Sequence, residues 1–565
     1  MSPLSIETAT VPPSRLPLPE RRFEIPATVE QVALVASLFW TLAANRLFFA
    51  AALHGRSLAE PATWGFVLAL GVMLLALHAA LLLTLLVHRR LLKPLLAVLI
   101  VATAFATHFM ERFGVYLDPS MLRNVLRTDV AEARELLSWT LALHLLLYAA
   151  LPLALLSRVR IVRRPPLRAL LVRGLALAGA VTLLVGALLS VFQPFSSLMR
   201  NHKEMRYLIT PANWMWSLAS VSVHDARGAA QPRQAIGLDA APGLSWAAQA
   251  RPRLLVLVVG ETARRANWGL GGYARQTTPQ LAQLPVINFA DVTACGTNTE
   301  VSVPCMFAPV GRRDYDEQRI RGSESLLHVL ARAGVAVHWR DNQSGCKGVC
   351  DHLSADDTAS MKPSGLCDKG HCLDEALLRG LDQRLEDARG TQLLVLHMLG
   401  SHGPAYHRRY PPTFKRFKPA CESDDLQQCS AAEIVNAYDN ALLYTDHVLA
   451  SLIRLLQAHA GRVDAAMLYV SDHGESLGER GLFLHGMPYP VAPAEQKQVP
   501  MVMWSSPDFA RAIGLDTACL QRRAMEPVSH DHLFHSLLGL LDVRTSLHEP
   551  AWDLSAGCRT SGYAK

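Results

Sequence analysis

Two hydrophobic patterns divide this chain. In its first third the apolar residues form runs long enough to cross a bilayer core, which takes roughly 20 residues as a helix. These runs lie at 32–53, 64–87, 95–110, 139–156 and 169–192, the third being the shortest. So many in so short a stretch exclude a set of ordinary buried core helices. Beyond Arg253 the pattern changes. Strand-like runs at 254–259, 335–339, 393–398, 466–470 and 499–504 alternate with helical spacing at 325–333, 374–388 and 433–459. That alternation predicts an α/β domain with a central, mostly parallel sheet.

The expected organisation is a cytoplasmic tail at 1–30, a five-helix transmembrane domain at 31–195, a juxtamembrane segment and linker at 196–250, and a catalytic domain at 251–565. A length of 565 residues is too great for one ordinary domain. The mean hydropathy of +0.17 is high for a soluble protein. Basic residues set the orientation. Arg15, Arg21 and Arg22 precede the first run, Arg89, Arg90 and Lys93 follow the second, and Arg158, Arg160, Arg163, Arg164 and Arg168 follow the fourth. The short connection on the other side carries only Arg56, and in the longer one acids balance the arginines. The N-terminus is therefore expected in the cytoplasm and everything beyond the last span outside. The first run is too long for a cleavable leader, and no small-residue cleavage site follows it.

Cysteine usage agrees. All ten cysteines fall between Cys295 and Cys558. They read as Cys295/Cys305, Cys346/Cys350, Cys367/Cys372, Cys421/Cys429 and Cys519/Cys558, bonded in an oxidising compartment. A zinc site at Cys346, Cys350, Cys367 and Cys372 is the alternative. Asn45 and Arg46 fall in the outer half of the first span, where a charge snorkels or meets a lipid headgroup. Residues 113–137 read as an amphipathic helix on the membrane surface. Basic and aromatic residues at 200–207 and 211–216 suit the headgroup layer. The loose stretch 226–251 reads as a tether.

In a parallel sheet, ligands collect at the carboxyl ends of the strands. Glu261 follows the first strand, His402 the third, and Asp472 and His473 the fourth, with His485 soon after. Such a mixed nitrogen and oxygen set suits Zn²⁺, with Mn²⁺ second. Thr299, between Cys295 and Cys305 in a short Cys-bounded loop, is the leading nucleophile candidate, with Thr297 and Ser302 as rivals. A Thr hydroxyl needs a metal or a base to attack.

The segments Gly260-Glu261-Thr262-Ala263-Arg264, Cys295-Gly296-Thr297-Asn298-Thr299, Ser401-His402-Gly403-Pro404, Ser471-Asp472-His473-Gly474-Glu475 and Leu484-His485-Gly486 resemble the phosphoethanolamine transferases. That family, within the alkaline phosphatase and sulfatase superfamily, includes enzymes that modify lipid A and confer colistin resistance. The resemblance implies Zn²⁺ held by Glu261, Thr299, Asp472 and His473. It makes Thr299 the residue that takes up phosphoethanolamine, and His402 and His485 catalytic residues beside it. It implies substrate contacts at Lys347, Gln343, Ser344 and Glu475, although Gln343 stands where the family carries Asn. Phosphatidylethanolamine would be the donor and lipid A phosphate the acceptor. The implied setting is a multi-pass monomer in a Gram-negative inner membrane, with a periplasmic catalytic domain and no nucleic-acid partner. Transfer to a core sugar or another glycan, phosphoglycerol transfer, and ester hydrolysis are the alternatives. A sulfatase would need Cys or Ser followed by Pro-Ser-Arg, which Thr299-Glu300-Val301 lacks. A non-enzymatic sensor would not need Glu261, Thr299, Asp472 and His473 intact.

Overall fold

The computed structural model describes residues 24–560 apart from 86–88, 129, 230–231, 362–364 and 369–370. Of the expected tail at 1–30, residues 1–23 lie outside the described residues; its end is structured, with Ile25–Ala27 paired to Val159–Ile161 and a helix from Val29. Among the described residues four helices, Pro61–Leu85, Arg89–Phe113, Trp139–Arg158 and Pro166–Ser190, are long and apolar enough to cross a membrane. The pair Val29–Ala44 and Arg46–Leu53, bent by 54°, passes the same test together, which makes five spans if the pair counts as one.

The bend has a cause. The Asn45 side-chain amide donates to the carbonyls of Trp40 (2.9 Å) and Thr210 (2.7 Å), and its oxygen accepts from the Thr210 N–H (3.0 Å). A side chain that takes over backbone hydrogen bonds lets an apolar helix break without leaving groups unsatisfied. Asn45 is fully buried, so it contacts no headgroup; Arg46 stays exposed. The last span turns Leu167, Leu170, Leu171 and Leu175 outward. A contiguous apolar face of that kind fits a lipid surround.

Strands β1 (Arg253–Gly260), β2 (Ile287–Asn288), β3 (Ala336–Asp341), β4 (Ser354–Asp357), β5 (Thr391–His397), β6 (Asp464–Ser471) and β7 (Met501–Ser505) form one sheet. Their order is β2-β7-β6-β1-β5-β3-β4. Contacts from β6 through β4 are parallel, while β7 and β2 add antiparallel pairs at one edge. Every residue of β1 is buried. Leu255, Leu257 and Val259 enter one core and Leu254, Val256 and Val258 the other. A strand covered on both faces reads as a continuous apolar run, which is the sequence signal at 254–259.

The helix expected at 374–388 is two short turns, Asp374–Leu378 and Leu381–Glu386, parted by Gly380 at φ 70°. The Asp374 carboxylate accepts the N–H groups of Leu399 and Gly400 (2.8 and 2.9 Å), which ties this turn to the end of β5. Part of the stretch read as a tether is packed down. Ala241–Pro242 pairs with Val543–Arg544, and the Trp246 indole donates to the Leu541 carbonyl. All five cysteine pairs are bonded as expected, so Cys346, Cys350, Cys367 and Cys372 hold no metal.

Cys519–Cys558 closes the longest loop, 39 residues, and Cys346–Cys350 the shortest, 4. Chain-entropy arithmetic then gives a loss of about 4 kcal/mol for the paired Cys→Ser change at the first and about 2 kcal/mol at the second. Denaturant unfolding of the two double variants checks that ranking.

Candidate active site

Register creates the site. Ser471 of β6 lies opposite Gly260 of β1, so the two neighbouring parallel strands end level. The next residues, Glu261 and Asp472-His473, therefore emerge side by side. The Asp472 N–H donates to the Gly260 carbonyl (2.9 Å), and the Thr262 N–H donates to Asp472 Oδ1 (3.3 Å). Ligand atoms of Glu261, Asp472 and His473 all lie within 4.8 Å of one another, and all three residues are buried.

Thr299 is not in a loop. It opens the helix Thr299–Met306, whose N-cap Asn298 accepts the Val301 N–H (3.0 Å). Pro304 and the β-branched Val301 and Val303 disguise that helix in the sequence. Its hydroxyl lies 3.1 Å from Glu261 Oε2 and 3.4 Å from His473 Nε2. The rivals are used elsewhere. Thr297 donates to the Met487 carbonyl, and Ser302 donates to the Asp472 carbonyl.

Two buried oxygens of the cluster, Glu261 Oε1 and Asp472 Oδ2, face the imidazole of His473. His473 Nδ1 lies 2.9 Å from the Gly474 carbonyl, to which it donates, leaving Nε2 aimed between the carboxylates at 3.2 and 3.4 Å. An imidazole held by its far nitrogen is the usual arrangement of a metal ligand. Two carboxylates, one imidazole and a hydroxyl fit a divalent cation of the Zn²⁺ type.

The electrostatics agree. Burial alone would lower His473, but the Asp472 charge and the Glu261 hydrogen bond outweigh it and push the imidazole up to about 10. Burial and the neighbouring Glu261 charge raise Asp472 to about 6. Burial raises Glu261 as well, yet His473 overrides it and holds that carboxyl below its ordinary range. Without an ion, the pocket holds a proton where a cation would sit.

His402 and His485 stand beside this cluster. The His485 ring lies 4.4 Å from that of His473 and 5.3 Å from that of His402. His485 Nδ1 contacts Glu475 Oε2 (2.8 Å), and Glu475 Oε1 accepts the Tyr406 hydroxyl (2.7 Å). Burial pushes His402 down to about 3. Glu475 thus orients a histidine; the geometry gives it no contact outward. Gln343, Ser344 and His402 line a cavity of about 460 Å3 together with Glu132. Lys347 lies outside it, donating to Ser344 Oγ (2.5 Å) and standing 3.4 Å from Glu300.

Three features of the site escaped the sequence. Glu132, on the helix Val130–Glu135, comes within 3.3 Å of His402 Nε2. Glu300, next to Thr299, is fully buried and meets Arg127, Arg321 and Lys347. His397 pairs with Asp341 (2.8 Å) behind the site. The mixed charge at 113–137 was the only signal for the first two.

A mostly parallel sheet with a buried carboxylate and imidazole cluster at its carboxyl edge defines a hydrolase or transferase of the sulfatase class. The sequence profile described as "Sulfatase" matches residues 253–543. The profile described as "Phosphoethanolamine transferase EptA/EptB" matches residues 56–226. Phosphoethanolamine transferase EptA of Salmonella typhimurium is 39% identical, over 83% of this chain and 86% of its own. Phosphatidylethanolamine transferase Mcr-1 of Escherichia coli is 37% identical, over 91% and 96%. The integral membrane lipooligosaccharide phosphoethanolamine transferase A of Neisseria meningitidis superposes with a TM-score of 0.90 at 35% identity, over 94% and 99%. The chain belongs to the phosphoethanolamine transferase family.

Gly400 tests the site's tolerance. It has φ 58°, and a Cβ there would stand 2.4 Å from the Glu261 carbonyl oxygen and 3.0 Å from its Cβ. Gly400→Ala is expected to displace Glu261 and lower transfer about a hundredfold, as misplacement near 1 Å does. Far-ultraviolet circular dichroism should stay unchanged.

Proposed function

We propose that this chain transfers ethanolamine phosphate from phosphatidylethanolamine to a phosphate of lipid A, through a covalent intermediate on Thr299. The observation that carries this reading is the Thr299 hydroxyl, 3.1 Å from Glu261 and 3.4 Å from His473 at a helix N-terminus. Relatives named as phosphoethanolamine and phosphatidylethanolamine transferases support the donor, and one named for lipooligosaccharide supports the acceptor class.

Glu261, Asp472, His473 and Thr299 would hold Zn²⁺, which when bound makes the hydroxyl acidic and offsets charge on phosphoryl oxygens. Thr299 Oγ attacks phosphorus, the bond to the diacylglycerol oxygen breaks, and the proton lost by Thr299 ends on diacylglycerol. An acceptor phosphate oxygen then attacks the same phosphorus, the Thr299 Oγ–P bond breaks, and the freed Thr299 oxygen takes up the proton that the acceptor or a neighbouring histidine gives up. His485 suits the proton-carrying role, because Glu475 fixes its Nδ1 and leaves Nε2 to work. His402, held neutral by burial, suits the role of a base rather than an acid. Ser344, with Gln343 and Lys347 behind it, would bind the headgroup phosphate.

The setting follows from the spans. We place the helices in a Gram-negative inner membrane with the N-terminus inside, and the disulfide-bonded unit in the periplasm. The arginine distribution and the bonded cysteines support that orientation. Both substrates are lipids, which gives the membrane anchor its purpose.

In cells expressing the chain, Thr299→Ala should leave lipid A without added ethanolamine phosphate by mass spectrometry. Modified lipid A in that variant would overturn the nucleophile assignment. A second measurement concerns the cation. His473 must lose its Nε2 proton to bind metal, and its ion-free value is about 10. Below that pH, uptake should release about one proton per ion. Affinity should therefore fall about tenfold for each unit of lowered pH, and more steeply below about 6, where Asp472 is also protonated. Calorimetry in buffers of different ionisation enthalpy reads the proton count.

A further inference from the structure

Glu300 is an acidic residue where an apolar core side chain would do. It is completely buried, one residue after Thr299, in the first turn of the nucleophile helix. We propose that Glu300 is a positioning residue for the transfer reaction. It closes a ring of alternating charges through which the membrane-facing helix Pro119–Arg127 sets the position of Thr299.

The ring can be walked. Glu300 lies 2.9 Å from Arg127, and Arg127 lies 3.3 Å from Asp225. Asp225 stands 3.1 Å from Arg123, which pairs with Glu317. Glu317 lies 3.1 Å from Arg321, and Arg321 returns to Glu300 at 3.3 Å. Arg321 also donates to the Glu300 carbonyl (2.5 Å). Lys347, 3.4 Å from Glu300, joins as a spur and brings Ser344 with it.

Three separate pieces of chain supply the members. Arg123 and Arg127 come from the membrane-facing helix, and Asp225 from the helix Ala212–Ala229 that follows the last span. Glu300, Glu317 and Arg321 belong to the catalytic unit. Together they line a cleft of about 1490 Å3.

Charge placement singles out Glu300. Arg127 is 41% exposed, so its pairs taken singly hold little energy. Glu300 is different, because a buried carboxylate deprived of its partners has no water to replace them. Its position is therefore tied to where Arg127 and Arg321 sit. In-line attack tolerates little displacement of the nucleophile, so docking of the membrane-facing helix is felt at Thr299.

The proposal rests on Thr299 being the nucleophile, and the experiment separates the two. Full-length chain in detergent is given phosphatidylethanolamine, and loading of Thr299 is followed by intact mass and peptide mapping. Glu300→Gln and Arg127→Met should each slow loading about tenfold, with the donor KM within about twofold. The double variant should be no slower than the slower single, because both cut one connection. Wild-type loading in both singles, a change in KM alone, or losses that multiply in the double would overturn the ring. Should Glu300→Gln not fold, the half-exposed Arg127 decides through its own variant. If the wild type carries no adduct on Thr299, the nucleophile reading fails, and the same comparisons are scored on overall transfer to the acceptor.

Discussion

Glu261 and Asp472 are two carboxylates buried side by side, and that juxtaposition is the constraint on which the structure depends. Like charges in a desolvated pocket destabilise each other unless a cation stands between them. His473 supplies that charge when no ion does, which is why its imidazole is driven upward. The level ends of β1 and β6 force the pair together, and the Asp374 link holds Gly400 against Glu261. Thr299 is presented to the same pocket from a helix whose other hydroxyl, Ser302, grips the Asp472 backbone. Scaffold and Thr299 hydroxyl are thus fixed to the same acidic pair.

The second organising force is electrostatic docking of the membrane part. Within the stretch 113–137, Arg123 and Arg127 pair with Glu317 and Glu300 of the catalytic unit. Val125, Leu126, Val130 and Leu137 are exposed, whereas Arg123 and Glu135 are buried. Glu135 forms a buried pair with Arg409 (2.5 Å), and Arg409 in turn donates to the His402 carbonyl (2.7 Å). Arg112, at the end of a span, pairs with Asp425. An amphipathic helix at an interface needs one wet and one apolar face; here the catalytic unit takes the place of water.

The legible parts of this chain were those with a period or a local motif. The apolar runs at 254–259 and 466–470 named the central strands, because strands buried on both faces lose their alternation and read as unbroken apolar stretches. Cysteine neighbours in sequence became neighbours in space, since short loops leave few other partners. Strand-end carboxylates and histidines converged because parallel strands end on one edge. What stayed hidden depended on distant partners. The helix at Thr299 has poor intrinsic propensity and forms under its Asn298 cap and the surrounding core. The break at Asn45 needed Thr210, 165 residues away. Glu132 reached His402 only through docking of two separate parts of the chain.

The same field also divides labour between histidines. Glu261 and Asp472 lie close enough to His473 to hold it positive, and the resulting group counts as a cation toward its neighbours. His402, beyond the first circle of charge, is dominated by burial and is further depressed by His485, Arg409 and His473, despite Glu261 raising it. One imidazole is thereby committed to the acidic pair, and the other is kept neutral at the mouth of the cavity. Pushing titratable groups apart by environment is how a single pocket supports acid and base roles at one pH. Moving either carboxylate would erase that difference, so the pair that anchors Thr299 also sets the protonation of the histidines around it.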